Sequence, residues 1–439
     1  MKNNQIIKLT FLISLVLVLL DANAQQQSVP AQLNKLVEQA FVQYPKVAEM
    51  NDQVKLSEVK VELGKAAYWP VVTGDVSYRR MYPTDPISIS IGPGQVHDIS
   101  ILPADNYNAG FSLVQPIIDL KTPVSISKSK SELTSANDNL EVFKMQLACQ
   151  VAQLYYGIIF LDKSIKVQKE QMELIKSNIE QVETKLKNGD ALNYDLVSLK
   201  VKQANLDNYY AELQNQRNRQ YNLINMITGN SGTNSVSDTL INDNWVNLAS
   251  DSIFSQANHN NPELKTAFDK IESAKWGVIT NERMKWPTLN FLAGSGFRNG
   301  FLPDINQTRF NYFVGAGITI PIVSGSHPDI QKKMAQINLD ATNHALESER
   351  VSLNKDILNS IDDLKKNQIR LSGSDALISQ AKMALQLAND RYKNGVITTL
   401  ELLTAQTNYQ DALLNRIQCE YNMLLTKLEM NRLAGKHWW

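Results

Sequence analysis

Residues 391–406 read Arg-Tyr-Lys-Asn-Gly-Val-Ile-Thr-Thr-Leu-Glu-Leu-Leu-Thr-Ala-Gln, a turn between two long stretches that favour helix. A shorter version of this turn, Lys-Asn-Gly, occurs earlier in the chain at 187–189. The stretches 124–261 and 329–439 contain no proline and little glycine. Because proline breaks helix interiors and glycine weakens them, each stretch is predicted to form long helices on both sides of its turn.

Matching sequence motifs, used here as landmarks, show that the chain contains an internal duplication. Trp69-Pro70 matches Trp286-Pro287, and the motif at 110–118 resembles the one at 315–323. These two landmarks lie farther apart in the first copy, which therefore carries twelve extra residues between them. The repeated unit has roughly 200 residues, which is far longer than a solenoid repeat.

Each Trp-Pro pair is followed by two segments that alternate with period two. One face is apolar and the other is small or polar, which fits the wall of a transmembrane β-barrel, although an ordinary half-buried sheet shows the same alternation. Pro116 and Pro321 are predicted to end the second strand of each pair. The segments 83–106 and 299–309 are predicted to be surface loops. The predicted apolar face consists of Val72, Gly74, Val76, Tyr78, Tyr107, Ala109, Phe111, Leu113, Leu289, Phe291, Ala293, Phe297, Tyr312, Val314, Ala316, Ile318 and Ile320.

The start of the chain supports a membrane context. Lys2 and Lys8, the apolar run 9–20 and Ala22-Asn23-Ala24 make a secretory signal peptide, whereas twelve apolar residues are too few for a membrane anchor. Trp69 and Trp286, at strand ends, suit the aromatic belt of a membrane interface. Four strands cannot close a barrel, and an open sheet edge is forbidden in lipid. The chain is therefore expected to oligomerise.

The longest helices are predicted over about 122–188 and 328–394, each roughly 100 Å long at about 1.5 Å per residue. Such helices need partners along their whole length. The last helix carries a seam with spacings of three and four residues, together with a second stripe, which favours a helix that packs on both sides. An isolated two-stranded coiled coil would leave the strands unexplained. The seam consists of Leu400, Leu403, Thr407, Gln410, Leu414, Ile417, Tyr421, Leu424 and Leu428, and the stripe of Leu402, Tyr409 and Leu413.

Composition excludes several classes of protein. The chain has 44 Lys+Arg and 44 Asp+Glu, which argues against a nucleic-acid binder. Two cysteines and five scattered histidines predict no metal site, cofactor or disulfide framework, and no catalytic motif is present, so no enzyme is expected. Cys149 and Cys419 are predicted to remain unpaired, because their distances from the two turns place them roughly 24 Å apart along the helices.

Together the signal peptide, the duplicated unit, the Gln-Pro-Ile-Ile motif at 115–118 and the turn at 391–406 resemble the TolC family over essentially the whole mature chain. The resemblance implies a mixed α and β membrane protein of the Gram-negative outer membrane with a long periplasmic extension. It also implies a homotrimer, with a 12-stranded transmembrane β-barrel continued by a periplasmic α-helical barrel.

The implied function is an exit duct of a tripartite efflux or type I secretion system, for small molecules, metal ions or proteins. Its implied partners are outer-membrane lipid, a periplasmic adaptor (membrane fusion) protein and an inner-membrane pump of the RND, ABC or MFS type. The opposing hypothesis is a secreted structural coiled-coil protein or adhesin. The sequence leaves open the cargo, the pump class and whether the resting aperture is open or closed.

The expected organisation follows from the landmarks and the resemblance together. It comprises a signal peptide (1–24), N-terminal periplasmic helices (25–69), a first strand pair (70–119), a first helical hairpin (120–228), an equatorial linker (229–261), a periplasmic helix (262–286), a second strand pair (287–324), a second hairpin (325–435) and a C-terminal tail (436–439).

The resemblance also implies functional positions. The periplasmic aperture is expected at Glu401, Thr404 and Asp195, with three copies of Glu401 forming an acidic ring and raising one another's pKa; alternatively, Glu401 points into solvent between helices. The sequence departs from the family pattern, because Thr404 stands where a second acid can occur and Ile397 where a restraining arginine can. The residues expected to contact the adaptor are Asn188, Gly189, Asp190, Ala191, Tyr392, Asn394, Gly395 and Val396.

Overall fold

The computed structural model describes residues 30–92, 95–230, 250–322 and 326–439. The predicted signal peptide and most of the predicted linker lie outside these ranges. The helices are α1 (Ala31–Gln43), α2 (Pro45–Ala66), α3 (Thr122–Lys187), α4 (Asn193–Thr228), α5 (Ser250–Asn260), α6 (Pro262–Glu282), α7 (His327–Lys393) and α8 (Thr399–Leu433). The strands are β1 (Val71–Arg80), β2 (Ile87–Gly92), β3 (Gln95–Ile99), β4 (Asp105–Ile118), β5 (Thr288–Arg298) and β6 (Arg309–Thr319).

The chain divides into two compact units. The first combines the described part of Met1–Asn51 with Asp138–Lys265 and Ser348–Trp439, and the second combines Asp52–Asn137 with Thr266–Glu347. The second unit contains all the strands named above, and the first contains both turns that join long helices.

The four predicted strands form one antiparallel sheet in the order β1-β4-β5-β6, so that β1 and β6 are its edges. Opposite residues of antiparallel strands share a face of the sheet. The register pairs Val76 with Ala109, Ala109 with Phe297, and Phe297 with Phe310. The predicted alternation therefore continues across all four strands, and one face of the sheet is predominantly apolar, with Gln115 and Ser295 as polar residues on it.

Two predictions about this region were wrong. Residues 83–106 are not a plain loop, because β2 and β3 pair as a separate two-stranded sheet. The alternation Ile87-Ser88-Ile89-Ser90-Ile91 before Gly92-Pro93-Gly94 is a strand-and-turn signal that the many prolines and glycines obscured. Pro116 also does not end its strand, since β4 runs on to Ile118 across a register shift, the kind of irregularity at which a strand tolerates proline.

The long helices were predicted correctly. α3 has 66 residues and α7 has 67, and their ends lie within one residue of the predicted ones. α4 and α8 follow after short turns and have 36 and 35 residues. In the first unit α3 and α4 bury a cluster made of Ile175, Ile179, Val182, Leu199 and Leu206.

The stripe that α8 buries differs from the predicted seam. Of the predicted residues only Leu402, Gln410 and Leu428 are buried within one chain, and Leu400 is 54% exposed. The fully buried stripe also includes Gln406, Cys419 and Met423. The buried Gln410 belongs to the predicted seam, whereas the buried Gln406 was missed because a polar side chain does not add to an apolar pattern.

Cys149 and Cys419 are both buried and free. Cys149 lies near Trp438 and Arg432, and burial raises the pKa of its thiol to about 12. Arg432 lies about 20 Å beyond Cys419 along α8, at a rise of about 1.5 Å per residue. The two thiols are therefore far apart, as predicted.

None of the described helices combines the length and the apolar character needed to cross a bilayer.

Candidate channel aperture at the hairpin tips

The turn between α3 and α4, called tip 1 (residues 188–192), is closed by backbone hydrogen bonds. Gly189 has φ +80°, which is left-handed backbone, and its N–H donates to the carbonyl of Leu186 at 3.1 Å. The N–H of Asp190 donates to the carbonyl of Lys185 at 2.9 Å. This pair of bonds satisfies the last carbonyls of α3 in the way that helix-ending glycines usually do.

The turn between α7 and α8, called tip 2 (residues 394–398), repeats this geometry. Gly395 has φ +70°, its N–H donates to the carbonyl of Tyr392 at 3.1 Å, and the N–H of Val396 donates to the carbonyl of Arg391 at 2.9 Å. The two tips are therefore copies in structure as well as in sequence.

Glu401 and Asp195, the two predicted aperture acids, both occupy the third position of the helix after a tip. A Glu401 carboxylate oxygen, Oε2, accepts from the N–H of Thr398 at 2.8 Å and from its hydroxyl at 3.0 Å. In return the Thr398 hydroxyl accepts from the N–H of Glu401 at 3.2 Å. Asp195 accepts from the N–H of Leu192 at 3.2 Å. Both acids thus cap otherwise unpaired helix N–H groups.

This capping role was missed by the sequence reasoning, although Thr398-Thr399-Leu400-Glu401 has the spacing of a capping box. The hydrogen bonds from Thr398 lower the pKa of Glu401 below its usual value. Within one chain the pKa therefore moves in the direction opposite to the one expected for an acidic ring, and that ring remains a prediction about the assembly.

One contact joins the two hairpins beside their tips. The Lys185 ammonium nitrogen, Nζ, lies 4.3 Å from the centroid of the Tyr392 ring, within the range of a cation–π interaction. The Tyr392 hydroxyl lies 3.4 Å from Oγ1 of Thr399. Ala191 of tip 1 and Leu403 of α8 also pack against the cluster between α3 and α4. Lys185 was not among the predicted site residues.

The remaining predicted residues occupy simpler positions. Thr404 is exposed, and its hydroxyl donates to the carbonyl of Leu400 at 2.8 Å. Asn188, Asp190, Asn394 and Val396 are exposed at the tips, and Ile397 is half-buried.

The two predicted interface aromatics belong to the second unit. Trp69 precedes β1 and Trp286 precedes β5, and both rings are substantially exposed. Because β1 and β5 are each antiparallel to β4, the two tryptophans lie at the same end of the sheet.

Residues 253–436, from α5 to just beyond α8, match the family described as outer membrane efflux protein. This stretch is similar to that family. Outer membrane protein TolC of Vibrio cholerae is 20% identical over 341 residues, which cover 76% of this chain and 77% of that protein. The efflux protein family is a class of transport proteins, not of enzymes.

Solved structures extend the likeness in fold to nearly the whole chain. A CusC channel structure matches with a TM-score of 0.79 at 15% identity, covering 94% of both chains. VceC from Vibrio cholerae matches with a TM-score of 0.77 at 16% identity, covering 93% of this chain and 97% of its own. The Campylobacter jejuni CmeC channel also has a TM-score of 0.77 at 16% identity, over 92% and 86% of the two chains. None of these similarities supports the alternative of a coiled-coil adhesin.

Proposed function

We propose that this chain is the outer-membrane channel of a tripartite efflux or type I secretion system. It forms the last segment of the export path, between a periplasmic adaptor with its inner-membrane pump and the exterior. Small molecules, metal ions or proteins would cross the outer membrane through its lumen, and no catalytic step is required of it.

The observation that carries this proposal is the four-stranded sheet. One face is predominantly apolar on every strand, and exposed side chains on it include Val76, Phe111, Phe297 and Val314. A soluble protein would cover such a face, whereas lipid accepts it. The edge strands β1 and β6 leave unpaired backbone groups, which a bilayer does not tolerate.

Both edges are satisfied if β6 of one copy pairs with β1 of the next. Three copies then supply twelve strands, and the opposite face, which carries Asp75, Asn108, Ser112 and Gly294, lines the lumen. Trp69 and Trp286 would lie in the aromatic belt at one membrane interface. The number three is the count that the TolC resemblance implies.

The helical hairpins are assigned to the periplasm, with tips 1 and 2 meeting the adaptor. Exposed Asn188, Asp190, Asn394 and Val396 would supply that contact surface. Three copies of Glu401 would converge at the aperture, with Asp195 nearby. The contacts that hold the aperture closed are expected to be weak. Ile397 stands where a restraining arginine can occur, and the Lys185–Tyr392 contact lies within one chain and so does not join neighbouring copies.

The test is to express the full chain in a Gram-negative host and purify it from outer membranes. Cross-linking should then yield a trimer, and the trimer should conduct ions in a planar bilayer. Recovery as a monomer from the soluble periplasmic fraction would reject the proposal.

A further inference from the structure

Three arginines lie at one end of the four-stranded sheet. Arg79 is the last residue but one of β1, Arg298 ends β5 and Arg309 begins β6. β1 and β5 are both antiparallel to β4, and β6 is antiparallel to β5. The three arginines therefore lie at the end of the sheet opposite to Trp69 and Trp286. In the proposed channel this end opens to the exterior.

The three arginines also share one face of the sheet. Residues that lie opposite each other in antiparallel strands point to the same side. Asn108 lies opposite both Ser77 and Arg298, and Arg298 lies opposite Arg309. Arg79 is two positions from Ser77 along β1 and so points to that side as well. This is the face assigned above to the lumen, and it is called the lumen face.

The lumen face carries little acid to balance these charges. Asp75 is the one acidic residue that the four described strands place on it, and its Oδ2 accepts from Nδ2 of Asn108 at 2.8 Å. Asp105, the other acid of these strands, lies on the opposite face, where its Oδ1 is 3.9 Å from Nη1 of Arg80. Among the described residues, no ion pair involves the three arginines of the lumen face.

Arg298 and Arg309 are direct neighbours across two strands. Like charges at directly opposite positions destabilise a sheet. No described acid offsets this repulsion within the chain. A ligand of negative charge between the two guanidinium groups would offset it, so the pair indicates a site for an anion.

Both side chains are held by the loop between β5 and β6. Nε and Nη2 of Arg309 donate to Oε1 of Gln307 at 3.3 and 3.2 Å, and its Nη1 donates to the carbonyl of Leu302 at 3.1 Å. Cζ of Arg298 lies 4.8 Å from the centroid of the Phe301 ring, a cation–π contact that leaves its N–H donors available. A guanidinium group held in this way can donate two parallel hydrogen bonds to a carboxylate or a phosphate.

We propose that Arg79, Arg298 and Arg309 of successive copies form an anion-binding ring at the exterior end of the lumen. The ring binds soluble molecules that carry carboxylate or phosphate groups, because rings of basic side chains favour anions in a pore. It deepens and rests on the proposed function, since only an assembled channel turns the lumen face into a ring.

Block of single-channel current by inorganic tripolyphosphate tests the ring. The purified full chain is added to one side of a planar bilayer, so that the sheet enters first and its exterior end faces the other side. Tripolyphosphate should block the wild type more strongly from that other side. Arg298→Gln should raise the half-blocking concentration about tenfold or more, because charge-assisted hydrogen bonds are lost. The bilayer contains no anionic lipid, so the block reports the soluble anion.

Arg80→Gln is the matched control. Arg80 is an arginine at the same end of the sheet, but it lies on the opposite face, beside Asp105. Its loss should leave the half-blocking concentration unchanged. Equal shifts in Arg298→Gln and Arg80→Gln, or a wild type that tripolyphosphate does not block, would overturn the ring and leave the channel function standing. A wild-type chain that conducts no ions would overturn both proposals.

Assembly separates anion binding from a structural role. Arg298 is exposed, and its replacement removes the repulsion with Arg309, so Arg298→Gln should form heat-resistant trimers as well as the wild type does. Loss of trimer would assign Arg298 a structural role through Phe301. Arg79→Gln, on another strand, would then decide: a raised half-blocking concentration supports the ring, and an unchanged one overturns it.

Discussion

Gly395 is the residue on which tip 2 depends. Its φ of +70° lies in the left-handed region, which a β-branched side chain occupies only at a cost of roughly 1–2 kcal/mol or more. Gly395→Ile should distort the turn and abolish transport while leaving the trimer assembled. Export assays paired with native gels of outer membranes would show this.

Asparagine tolerates the left-handed region, so Gly395→Asn is the control and should retain most transport. Normal export by an assembled Gly395→Ile channel would mean that tip 2 is not part of the adaptor contact.

Glu401 links local helix chemistry to ion passage. If three copies converge on the axis, Glu401→Gln should reduce cation selectivity and weaken block by multivalent cations, because the negative ring is lost. Reversal potentials of single channels in a planar bilayer measure the change. Asp411→Asn, at an exposed acid farther along α8, is the control and should have little effect. Equal behaviour of the two variants would move Glu401 away from the pore axis.

The same carboxylate predicts a pH effect on the first turn of α8. Thr398 holds the folded-state pKa of Glu401 below its usual value of 4.5. Because the pKa of Glu401 is lower in the folded state than in the unfolded state, its carboxylate stabilises the first turn of α8 fully at pH values above the unfolded pKa. This stabilisation is lost as the pH falls through the folded pKa. Amide protection of residues 399–402 should therefore fall below about pH 4.5 in the wild type. In Glu401→Gln, protection should stay flat; a parallel fall there would assign the effect to another group.

At the scale of elements, neutral side-chain amides connect the two hairpins at buried positions. Gln168 is fully buried, and its Nε2 donates to the carbonyl of Leu206 at 2.8 Å while its oxygen accepts from Gln410. Paired polar groups in a buried interface fix which residues face each other, because any shift along the helix leaves them unsatisfied.

This arrangement predicts strong non-additivity. Gln410→Leu alone leaves the Gln168 oxygen without its partner and should cost about 1–3 kcal/mol. The double change Gln168→Leu with Gln410→Leu should cost less than the sum of the two single changes. Guanidinium unfolding midpoints of the four purified proteins provide the cycle. Strict additivity would show that the pair is not coupled.

For the whole molecule, the decisive feature is which face of the sheet meets lipid. Val314, at the centre of β6, lies on the apolar face, and Val314→Arg should cost about 2–4 kcal/mol of membrane stability. Ser112→Arg, near the centre of β4 on the opposite face, should be tolerated because that face lines the lumen. Heat-modifiable mobility of outer-membrane fractions reports assembly. A tolerated Val314→Arg together with a damaging Ser112→Arg would reverse the assignment of the two faces.

The sequence by itself determined the helices, the four main strands, the duplication and the glycine turns, because each depends on local backbone preference or on a short period. Only the tertiary structure decided that β2 and β3 pair, that Glu401 and Asp195 cap helices, and that α3 meets α8 through Gln168, Asn178, Gln406 and Gln410. The physical reason is that periodicity reveals which face of an element will be covered but not what covers it. α8 buries Gln406 and Gln410, whereas Lys200 and Ala204, at the equivalent positions of α4, are exposed in one chain.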